Sequence, residues 1–454
     1  MLVFDQLLRG YPLTIDSIIS QSHLDICPVF RGHIWACLLG VQGDTRGLYS
    51  RIDKCSKRET DRQIEVDIPR CHQYEPLIAS PEGSYKLKRV IKAWLVTHPH
   101  LTYWQGLDSL TTPFLYVNYN REDLAFATMT KFIDKYMGGL FERDNAKVIQ
   151  EYLAVFQQLI TFHDPELANH LSDMDGQAFV PDLYAIPWFL TMFAHVFPIN
   201  KMIYLWDTLL LRDSSFPLFV GVAIMTRLKR QLMSFTFNDC ILSFSDMPDI
   251  DIHQVIKISL TLYRDTPKSC SFRVHQPEQD PDGQIGINRD FIDLDERRNE
   301  IIPRISPADV CRLAGVSRAS LLGNPENTDD GFEIITKETV QSSVIDRVLI
   351  VDIRKKDDFD SGTFPTAVSL PADDAFDEPT EQSPFGSLKP GKIGSLGLIR
   401  SRGKNVIVLA GYTTADAQTF AFQLLKLGYP KLCCLNGGFD YLDQIGATLT
   451  VPSS

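Results

Sequence analysis

The sequence predicts two domains of different class: an all-α half, followed by a small α/β half with a parallel sheet. In the first half, up to about residue 264, apolar side chains recur at helical spacing and no convincing alternation of period two is present. Beyond about residue 305, short β-branched runs alternate with helical patterns. The length of 454 residues agrees with more than one domain.

Capping and helix-breaking residues mark several helices of the first half. One helix is predicted from apolar side chains that share a helical face: Leu87, Val90, Ile91, Trp94 and Leu95. It should end before His98, which precedes a proline. Asn120 is predicted to cap another helix, whose first turn carries Glu122 and Asp123. Further helices are predicted over residues 146–163, 184–196, 200–211 and 217–233.

Residues 266–302 are predicted to form an acidic linker between the two domains. Eight acidic side chains lie between residues 276 and 300, against three arginines. A stretch of this composition buries little apolar surface, so we expect it to be solvated.

Three apolar runs are predicted to be strands of the second domain, over residues 348–353, 406–409 and 432–435. Thr414 should cap a helix between the second and third runs, and Gly428 and Pro430 should end it. One face of that helix is apolar: Ala417, Phe420, Ala421, Leu424 and Leu425. A strand–helix–strand unit of this kind implies a right-handed parallel crossover. Residues 317–345 and 372–400 are predicted to be inserted surface loops.

Composition excludes several classes of function. The net charge of −12 argues against general nucleic-acid binding, which needs Lys and Arg facing phosphates. Nine cysteines without a C-x-x-C pair indicate reduced thiols, so neither a disulfide framework nor a metal site is predicted. The apolar stretch 184–211 contains Pro187, Lys201 and Asp207, which argues against a transmembrane segment. The N-terminus lacks the basic start and following apolar run of a secretory signal peptide, so none is predicted. Together these features predict a cytoplasmic protein.

Five short motifs follow one another along the first half: Arg31-Gly32-His33-Ile34-Trp35, Asp67-Ile68-Pro69-Arg70, Tyr103-Trp104-Gln105-Gly106, Trp188-Phe189-Leu190 and Trp206-Asp207. Each motif alone is weak, but their order resembles a TBC domain, the family of GTPase-activating proteins for Rab GTPases. The resemblance covers roughly residues 15–265, and the predicted domain is 1–265. The TBC family is all-α, in agreement with the helical spacing.

The resemblance implies that Arg70 and Gln105 are catalytic residues that enter the active site of a Rab GTPase as an arginine finger and a glutamine finger. Arginine stays charged and presents a planar fork to phosphate oxygens, whereas glutamine both donates and accepts hydrogen bonds and can align water. Pro69 should stiffen the loop that carries Arg70 and push Ile68 toward an extended conformation.

Three neighbouring residues are predicted to support the fingers. Asp67 would orient the Arg70 guanidinium or hold backbone N–H groups of the loop, Gly106 would allow close backbone approach beside Gln105, and Tyr103 would hold the fingers in place from the core. Taken alone, an arginine after a proline is most often a solvated side chain, and a Gln-Gly pair is most often a turn.

One departure from the TBC pattern follows the finger arginine. The family commonly has threonine there, and this chain has Cys71 followed by His72. A thiol is a weaker hydrogen-bond partner than a hydroxyl. One expectation is therefore a less rigid loop and slower GTP hydrolysis, and the other is a partner GTPase adapted to this loop.

The second half resembles a rhodanese-like domain, predicted over residues 303–454. The matching features are Val351-Asp352-Ile353-Arg354, Phe359, Gly362, Phe364, Ala367, Leu370-Pro371, the run 406–409 and Gly437-Gly438-Phe439. Active members carry a nucleophilic cysteine directly after the strand that residues 406–409 match, where this chain has Ala410. Asp416 stands where a Cys-x5-Arg phosphatase needs arginine. Neither sulfurtransferase nor phosphatase activity is predicted, and Cys433 and Cys434 are expected to be buried.

The sequence thus predicts a GTPase-activating protein for a Rab-family small GTPase, with an inactive rhodanese-like module for binding a protein partner. The alternative is a non-catalytic adaptor in a vesicle-trafficking assembly. No cofactor is expected, because the partner GTPase carries GTP and Mg²⁺, and membranes would be reached through partners.

Residues 386–392 have the glycine and lysine spacing of a nucleotide-binding P-loop. Ile393 replaces the Mg²⁺-binding hydroxyl residue, so the match is interpreted as accidental. In the family with this domain order a kinase-like domain comes first, and no kinase motif is seen here.

Overall fold

The structure is a computed structural model that describes residues 2–174, 176–276, 286–316, 321, 348–364, 366–376, 389, 405–447 and 449. Residues 386–392 lie outside this part of the chain except for Lys389, as do most residues of the two predicted surface loops. In the described residues, no helix combines the length and the apolar character that crossing a bilayer requires.

The described residues of the first half form sixteen α-helices: α1 (Leu2–Arg9), α2 (Ile15–Ser22), α3 (Arg31–Leu38), α4 (Thr45–Arg51), α5 (Asp61–Asp67), α6 (Pro76–Ala79), α7 (Pro81–Thr97), α8 (Leu107–Val117), α9 (Glu122–Tyr136), α10 (Ala146–His163), α11 (Pro165–Ser172), α12 (Ile186–Leu190), α13 (Ile199–Leu209), α14 (Phe216–Leu232), α15 (Phe237–Ser245) and α16 (Ile252–Asp265). Strand pairing among these residues is limited to two isolated bridges. The prediction of an all-α half is confirmed.

The motif aromatics form the centre of the helical core. The Trp206 ring stacks on Phe132 with ring centroids 4.6 Å apart, and the Trp35 ring lies 5.8 Å from Trp206. Asp207 ties this centre together, because it accepts a hydrogen bond from Trp35 Nε1 (2.7 Å) and pairs with Arg31 (3.1 Å). Burial raises the pKa of Asp207 to about 6 in spite of the neighbouring Arg31. Trp188 is likewise buried.

Two predictions on the helical half are wrong. Asn120 is not the cap of α9, because the chain turns into the helix one residue later, at Arg121 (φ −137°). The helix predicted over 184–196 is confined to α12, since Met192 and Phe193 have positive φ values of 45° and 67°. The apolar character of that stretch reflects the burial of most of its side chains, which an irregular segment in a core also requires.

The second half contains a five-stranded parallel sheet: β1 (Arg304–Ile305), β2 (Val348–Asp352), β3 (Val368–Ser369), β4 (Val406–Ala410) and β5 (Leu432–Leu435). The strand order is β1-β5-β4-β2-β3 and all pairs are parallel, which confirms the predicted architecture. The described helices of this half complete the element order: α17 (Leu294–Arg297), α18 (Pro307–Ala314), α19 (Lys356–Ser361), α20 (Ala372–Ala375), α21 (Thr414–Lys426) and α22 (Gly438–Gln444).

Helix α21 connects β4 to β5 and buries its predicted apolar face. Its cap is Thr413 and not the predicted Thr414, because Thr413 and Asp416 form a reciprocal capping box. The Thr414 hydroxyl instead accepts a hydrogen bond from the backbone N–H of Gly437 (3.0 Å). Residues 372–375, predicted as part of a surface loop, form the short helix α20.

The interpretation of residues 266–302 as a solvated linker is wrong for much of its described part. Arg297 is buried (1% exposed) and pairs at 3.0 Å with Glu151 of α10, which is equally buried. Glu151 also accepts hydrogen bonds from the backbone of Val274 and His275. The composition of the segment did not predict this packing, because Arg297 is buried only through its ion pair with Glu151, which lies in a distant helix. The predicted domain boundaries themselves stay predictions.

The two halves are in direct contact. Phe162, at the end of α10, is buried in the apolar core of the second domain, and its carbonyl accepts a hydrogen bond from the backbone N–H of Lys431 (2.6 Å). The Asn169 side chain donates to the carbonyl of Leu425 (2.9 Å). Helix α10 therefore extends from the helical core into the core of the rhodanese-like half.

Candidate functional site

A groove of about 870 Å³ in the helical domain is lined by both predicted fingers. Arg70 ends a 3₁₀ helix (Ile68–Arg70) that directly follows α5. Gln105 lies in the turn immediately before α8. The two loops are brought together by packing of α5, α7 and α8, so residues 35 positions apart in sequence share one concave surface.

The Arg70 side chain is tethered at its base and open at its tip. Its Nε donates to the carbonyl of Val66 (3.2 Å) and one terminal nitrogen donates to Asp67 Oδ1 (2.5 Å). The side chain is 61% exposed, whereas Asp67 is 3% exposed. Because a guanidinium has five N–H donors, the remaining donors are available to a ligand in the groove.

Asp67 connects the two finger segments. Besides Arg70, its carboxylate accepts hydrogen bonds from Gln63 Nε2 (3.0 Å) and from the Tyr103 hydroxyl (2.9 Å). Burial, the charge of Asp108 and the hydrogen bond to Asp67 raise the pKa of Tyr103, so the phenol stays protonated and donates. The sequence-predicted supporting residues Asp67 and Tyr103 therefore lie between Arg70 and Gln105, and Asp67 orients the guanidinium directly.

Gln105 is exposed on a turn that its neighbours hold rigidly. Gly106 has a φ of 105°, a left-handed conformation that favours glycine, and a Cβ there would lie 2.9 Å from Thr191 Cγ2. On the other side, Trp104 Nε1 donates to the carbonyl of Glu142 (2.9 Å). The Gln105 carboxamide makes no hydrogen bond to any residue in the described part of the chain, so its donor and acceptor groups are available to a partner at the groove.

The loop of Arg70 is stiff, but not in the predicted conformation. Ile68 has φ −51° and ψ −46°, so it is helical although a proline follows. The prediction of an extended Ile68 is therefore wrong. A backbone hydrogen bond from Cys71 N to the Ile68 carbonyl (3.0 Å) closes the 3₁₀ turn, and Pro69 occupies an early helical position where its missing N–H costs nothing.

The residues that depart from the TBC pattern are well packed. Cys71 is buried, and its Sγ lies 3.3 Å from the Thr112 hydroxyl and 3.9 Å from that of Ser109, both on α8. Burial raises the pKa of this thiol, so it stays protonated. The thiol thus ties the finger loop to the helix that follows Gln105.

His72 and Tyr74 form a second tie that the sequence did not reveal. The backbone N–H of Ile199 donates to the Tyr74 hydroxyl (3.1 Å), and the Tyr74 oxygen is 2.6 Å from His72 Nδ1. A hydrogen bond therefore links the Tyr74 hydroxyl to His72 Nδ1, and the backbone of Ile199 fixes the position of that hydroxyl. His72 has φ 46°, and burial lowers its pKa to about 4. No sequence signal marks this pair, because the contact with Ile199 spans 125 positions.

The opposite wall of the groove is apolar and was missed as a functional element. It includes Ile149 of α10, Ile186, Pro187 and Leu190 of α12, and residues 195–198. Much of this wall belongs to the segment 184–196, which was predicted to be one continuous helix. Its exposed edge has the composition of a protein-binding surface: an apolar patch next to charged groups.

The predicted nucleophile position of the second domain contains no reactive group. Ala410 is the last residue of β4 and is 1% exposed. The N-terminus of α21 beside it is capped by the Asp416 carboxylate, which accepts from Thr413 N (2.9 Å). Cys433 and Cys434 are buried in β5, as predicted.

Comparison with known proteins identifies both domains. Residues 28–233 match the Rab-GTPase-TBC domain family and residues 336–443 match the rhodanese-like domain family. The chain therefore contains a TBC domain followed by a rhodanese-like domain. The crystal structure of the Ypt/Rab-GAP domain of Gyp1p has the same fold as the helical half, with a TM-score of 0.51 and 20% identity over 58% of this chain and 96% of that domain.

Several relatives share both halves with this chain, and two of them illustrate the range of identity. The TBC domain-containing protein kinase-like protein of Homo sapiens is 44% identical over 475 residues, covering 100% of this chain and 50% of the human protein. The protein of the same name from Dictyostelium discoideum is 30% identical over 459 residues, covering 99% of this chain and 39% of its own length. The chain spans about half the length of the human relative that it matches.

Proposed function

We propose that this chain is a GTPase-activating protein for a Rab-family small GTPase, and that Arg70 and Gln105 are inserted in trans. The observation that carries the proposal is that both side chains are exposed and line one groove, each on a loop fixed by buried contacts. The match to the Rab-GTPase-TBC domain family and the fold shared with a Ypt/Rab-GAP domain support it.

In this proposal the chain supplies two groups and the partner supplies the rest. The Arg70 guanidinium, oriented by Asp67, neutralises charge that develops on the γ-phosphoryl group. The Gln105 carboxamide aligns the attacking water through one donor and one acceptor. GTP and Mg²⁺ belong to the partner, so the chain needs no cofactor of its own.

Preorganisation favours this role over that of an ordinary solvated arginine. The 3₁₀ turn, the Asp67 pair and the Cys71 contact limit the freedom of the Arg70 loop before any partner binds. A loop that is already ordered loses less entropy on binding, so more of the contact energy remains for the transition state.

We propose that the rhodanese-like domain is an inactive module that binds a protein partner. Support comes from the buried Ala410 at the nucleophile position and from the helix end capped by Asp416. With such partners the protein would act in the cytoplasm and on endomembranes in vesicle trafficking. Its own docking on α10 places this module at a fixed position relative to the finger groove.

Single-turnover GTP hydrolysis by a panel of purified Rab GTPases, with and without the full chain, tests the catalytic role. Acceleration of at least one Rab by the wild type, lost in Arg70→Ala, is expected. Arg62→Ala is the matched control, because Arg62 is an exposed arginine on α5 outside the groove. Acceleration that Arg70→Ala leaves unchanged would exclude the finger role.

The alternative is an adaptor without catalytic effect, which the absence of a reactive group at Ala410 favours for the second domain. An adaptor would bind a Rab or another partner without changing the rate of hydrolysis. Binding by the full chain with no acceleration of any Rab in the panel would decide for it.

A further inference from the structure

A second cleft in the helical domain, distinct from the finger groove, is lined by four basic side chains. It has a volume of about 470 Å³, within the range of small-ligand sites. Helix α4 packs against α9 there, with α7 beside them. The cleft is lined by Arg46, Lys54, Arg89 and Arg121, together with Tyr49, Ser50, Asn120, Glu122 and Asp123.

The two acidic residues of the cleft are each matched by one arginine. Glu122 accepts hydrogen bonds from Arg89 Nε (2.9 Å) and from the Tyr49 hydroxyl (2.8 Å). Asp123 accepts two hydrogen bonds from Arg121, at 2.9 and 2.8 Å. These two ion pairs lie within the cleft, so the charges of their members cancel. Two of the four basic side chains of the cleft therefore remain without a carboxylate of the cleft to balance them.

Lys54 and Arg46 are those two cations. The Lys54 ammonium donates to the backbone carbonyls of Tyr49 (2.5 Å) and Ile52 (2.6 Å) and lies 4.4 Å from the centre of the Tyr49 ring. It pairs with no carboxylate in the described part of the chain, and one of its three N–H donors remains. Arg46 is exposed and likewise has no carboxylate partner among the described residues.

The positive charges of the cleft act on one another. Burial and the neighbouring Arg89 guanidinium lower the pKa of Lys54, and the opposite effect of the Glu122 and Asp53 carboxylates does not offset them. The net charge of the whole chain is −12. Positive side chains held close together repel one another, which costs free energy unless a ligand of negative charge compensates them.

We propose that this cleft binds a phosphomonoester, presented either by a soluble phosphorylated metabolite or by a phosphorylated lipid headgroup. A phosphomonoester carries a charge of about −1.5 to −2 at neutral pH, which matches the surplus of two. Arg46 can contact two of its oxygens through the planar guanidinium fork, and Lys54 adds a point charge. An acidic peptide fits less well, because its carboxylates carry single charges at fixed spacing along an extended backbone.

Binding of soluble inositol trisphosphate to the full chain, measured by isothermal titration calorimetry, is the primary test, and inorganic phosphate is the minimal probe. Combined replacement Arg46→Ala and Lys54→Ala should weaken binding by at least about tenfold, equivalent to ~1.4 kcal/mol. Arg51→Ala is the matched control: it removes an exposed arginine of the same helix, five positions from Arg46 and about 140° around the axis. The control should leave the affinity unchanged.

Sedimentation with phosphatidylcholine vesicles, with and without a phosphorylated inositol lipid, distinguishes the two sources of the phosphate. If the wild type binds the phosphoinositide vesicles and the double variant does not, the ligand is a lipid headgroup. If the wild type binds the soluble probe but not the vesicles, the ligand is a soluble metabolite. The proposal is overturned if neither probe binds, if Arg51→Ala weakens binding as much as the double variant, or if an acidic peptide binds as tightly. Thermal unfolding of each variant confirms that the fold is retained, and the outcome is independent of the proposed Rab activity.

Discussion

Replacement of Arg70 by alanine should abolish activity while leaving the protein folded. The side chain is 61% exposed and contacts its own chain through the Val66 carbonyl and the Asp67 carboxylate. Arg70 lies on the solvent side of its pair with the buried Asp67, and a pair that solvent screens on one side contributes about 0–1 kcal/mol to stability. Asp67 keeps the hydrogen bonds from Gln63 and Tyr103 after the change. The free energy of unfolding should therefore fall by only about 1 kcal/mol.

The effect on catalysis should be far larger than the effect on stability. An arginine inserted in trans contributes about 10³- to 10⁵-fold to GTP hydrolysis, which corresponds to about 4–7 kcal/mol of transition-state stabilisation. Single-turnover hydrolysis of GTP by the responsive Rab, at saturating concentrations of the full chain, measures this loss. Arg70→Lys keeps the charge but not the planar fork, so it should also lose most of the acceleration.

Two outcomes would refute this reasoning. An Arg70→Ala variant that retains more than about a tenth of the acceleration would show that the guanidinium is not the catalytic group. A folded Arg70→Lys variant that keeps the full acceleration would show that the planar guanidinium fork is not required.

Two further predictions concern stability. Arg297→Ala should lower the free energy of unfolding by about 3–5 kcal/mol, because it leaves the buried Glu151 carboxylate without its cationic partner; urea denaturation of the full chain measures this. His72 should make stability depend on pH: its pKa is about 4 in the folded protein and 6.5 ordinarily, so the unfolded chain binds more protons between these values. Stability contributed by neutral His72 is present above pH 6.5 and is lost as the pH falls through about 4.

Each of these predictions has a matched control. Arg298→Ala removes the adjacent arginine, which is exposed, and should cost little. An equal loss in both variants would contradict the structural role of the buried pair. For the pH effect, His72→Gln should reduce the difference in stability between neutral and acidic pH. An unchanged difference would show that His72 is not responsible for it.

The elements that the sequence predicted well are those whose signals are local. The helix Pro81–Thr97 has a serine cap, a first-position proline and a breaking His-Pro pair, and its apolar face was recognised from spacing alone. The strand Leu432–Leu435 was recognised from a short apolar run bounded by turn residues. For Asp67 the sequence left two roles open, orienting Arg70 or holding backbone N–H groups of the loop, and the structure shows the contact with Arg70 three positions away.

The features that the sequence did not reveal depend on contacts between distant residues. Met192 and Phe193 turn the chain because they are packed in the core, although their composition suits a helix. Arg297 is buried because it forms an ion pair with Glu151, and the Tyr74 hydroxyl is held by a hydrogen bond from the backbone N–H of Ile199. Partners separated by more than a hundred positions leave no periodic trace in a single sequence.

The most direct test of the central claim uses a responsive Rab whose own catalytic glutamine has been replaced by alanine. If Gln105 takes over the alignment of water, the wild-type chain should still accelerate GTP hydrolysis by this Rab, and Gln105→Ala should not. Acceleration by the Gln105→Ala variant equal to that of the wild type, or none by the wild type, would contradict the proposal that both fingers act in trans.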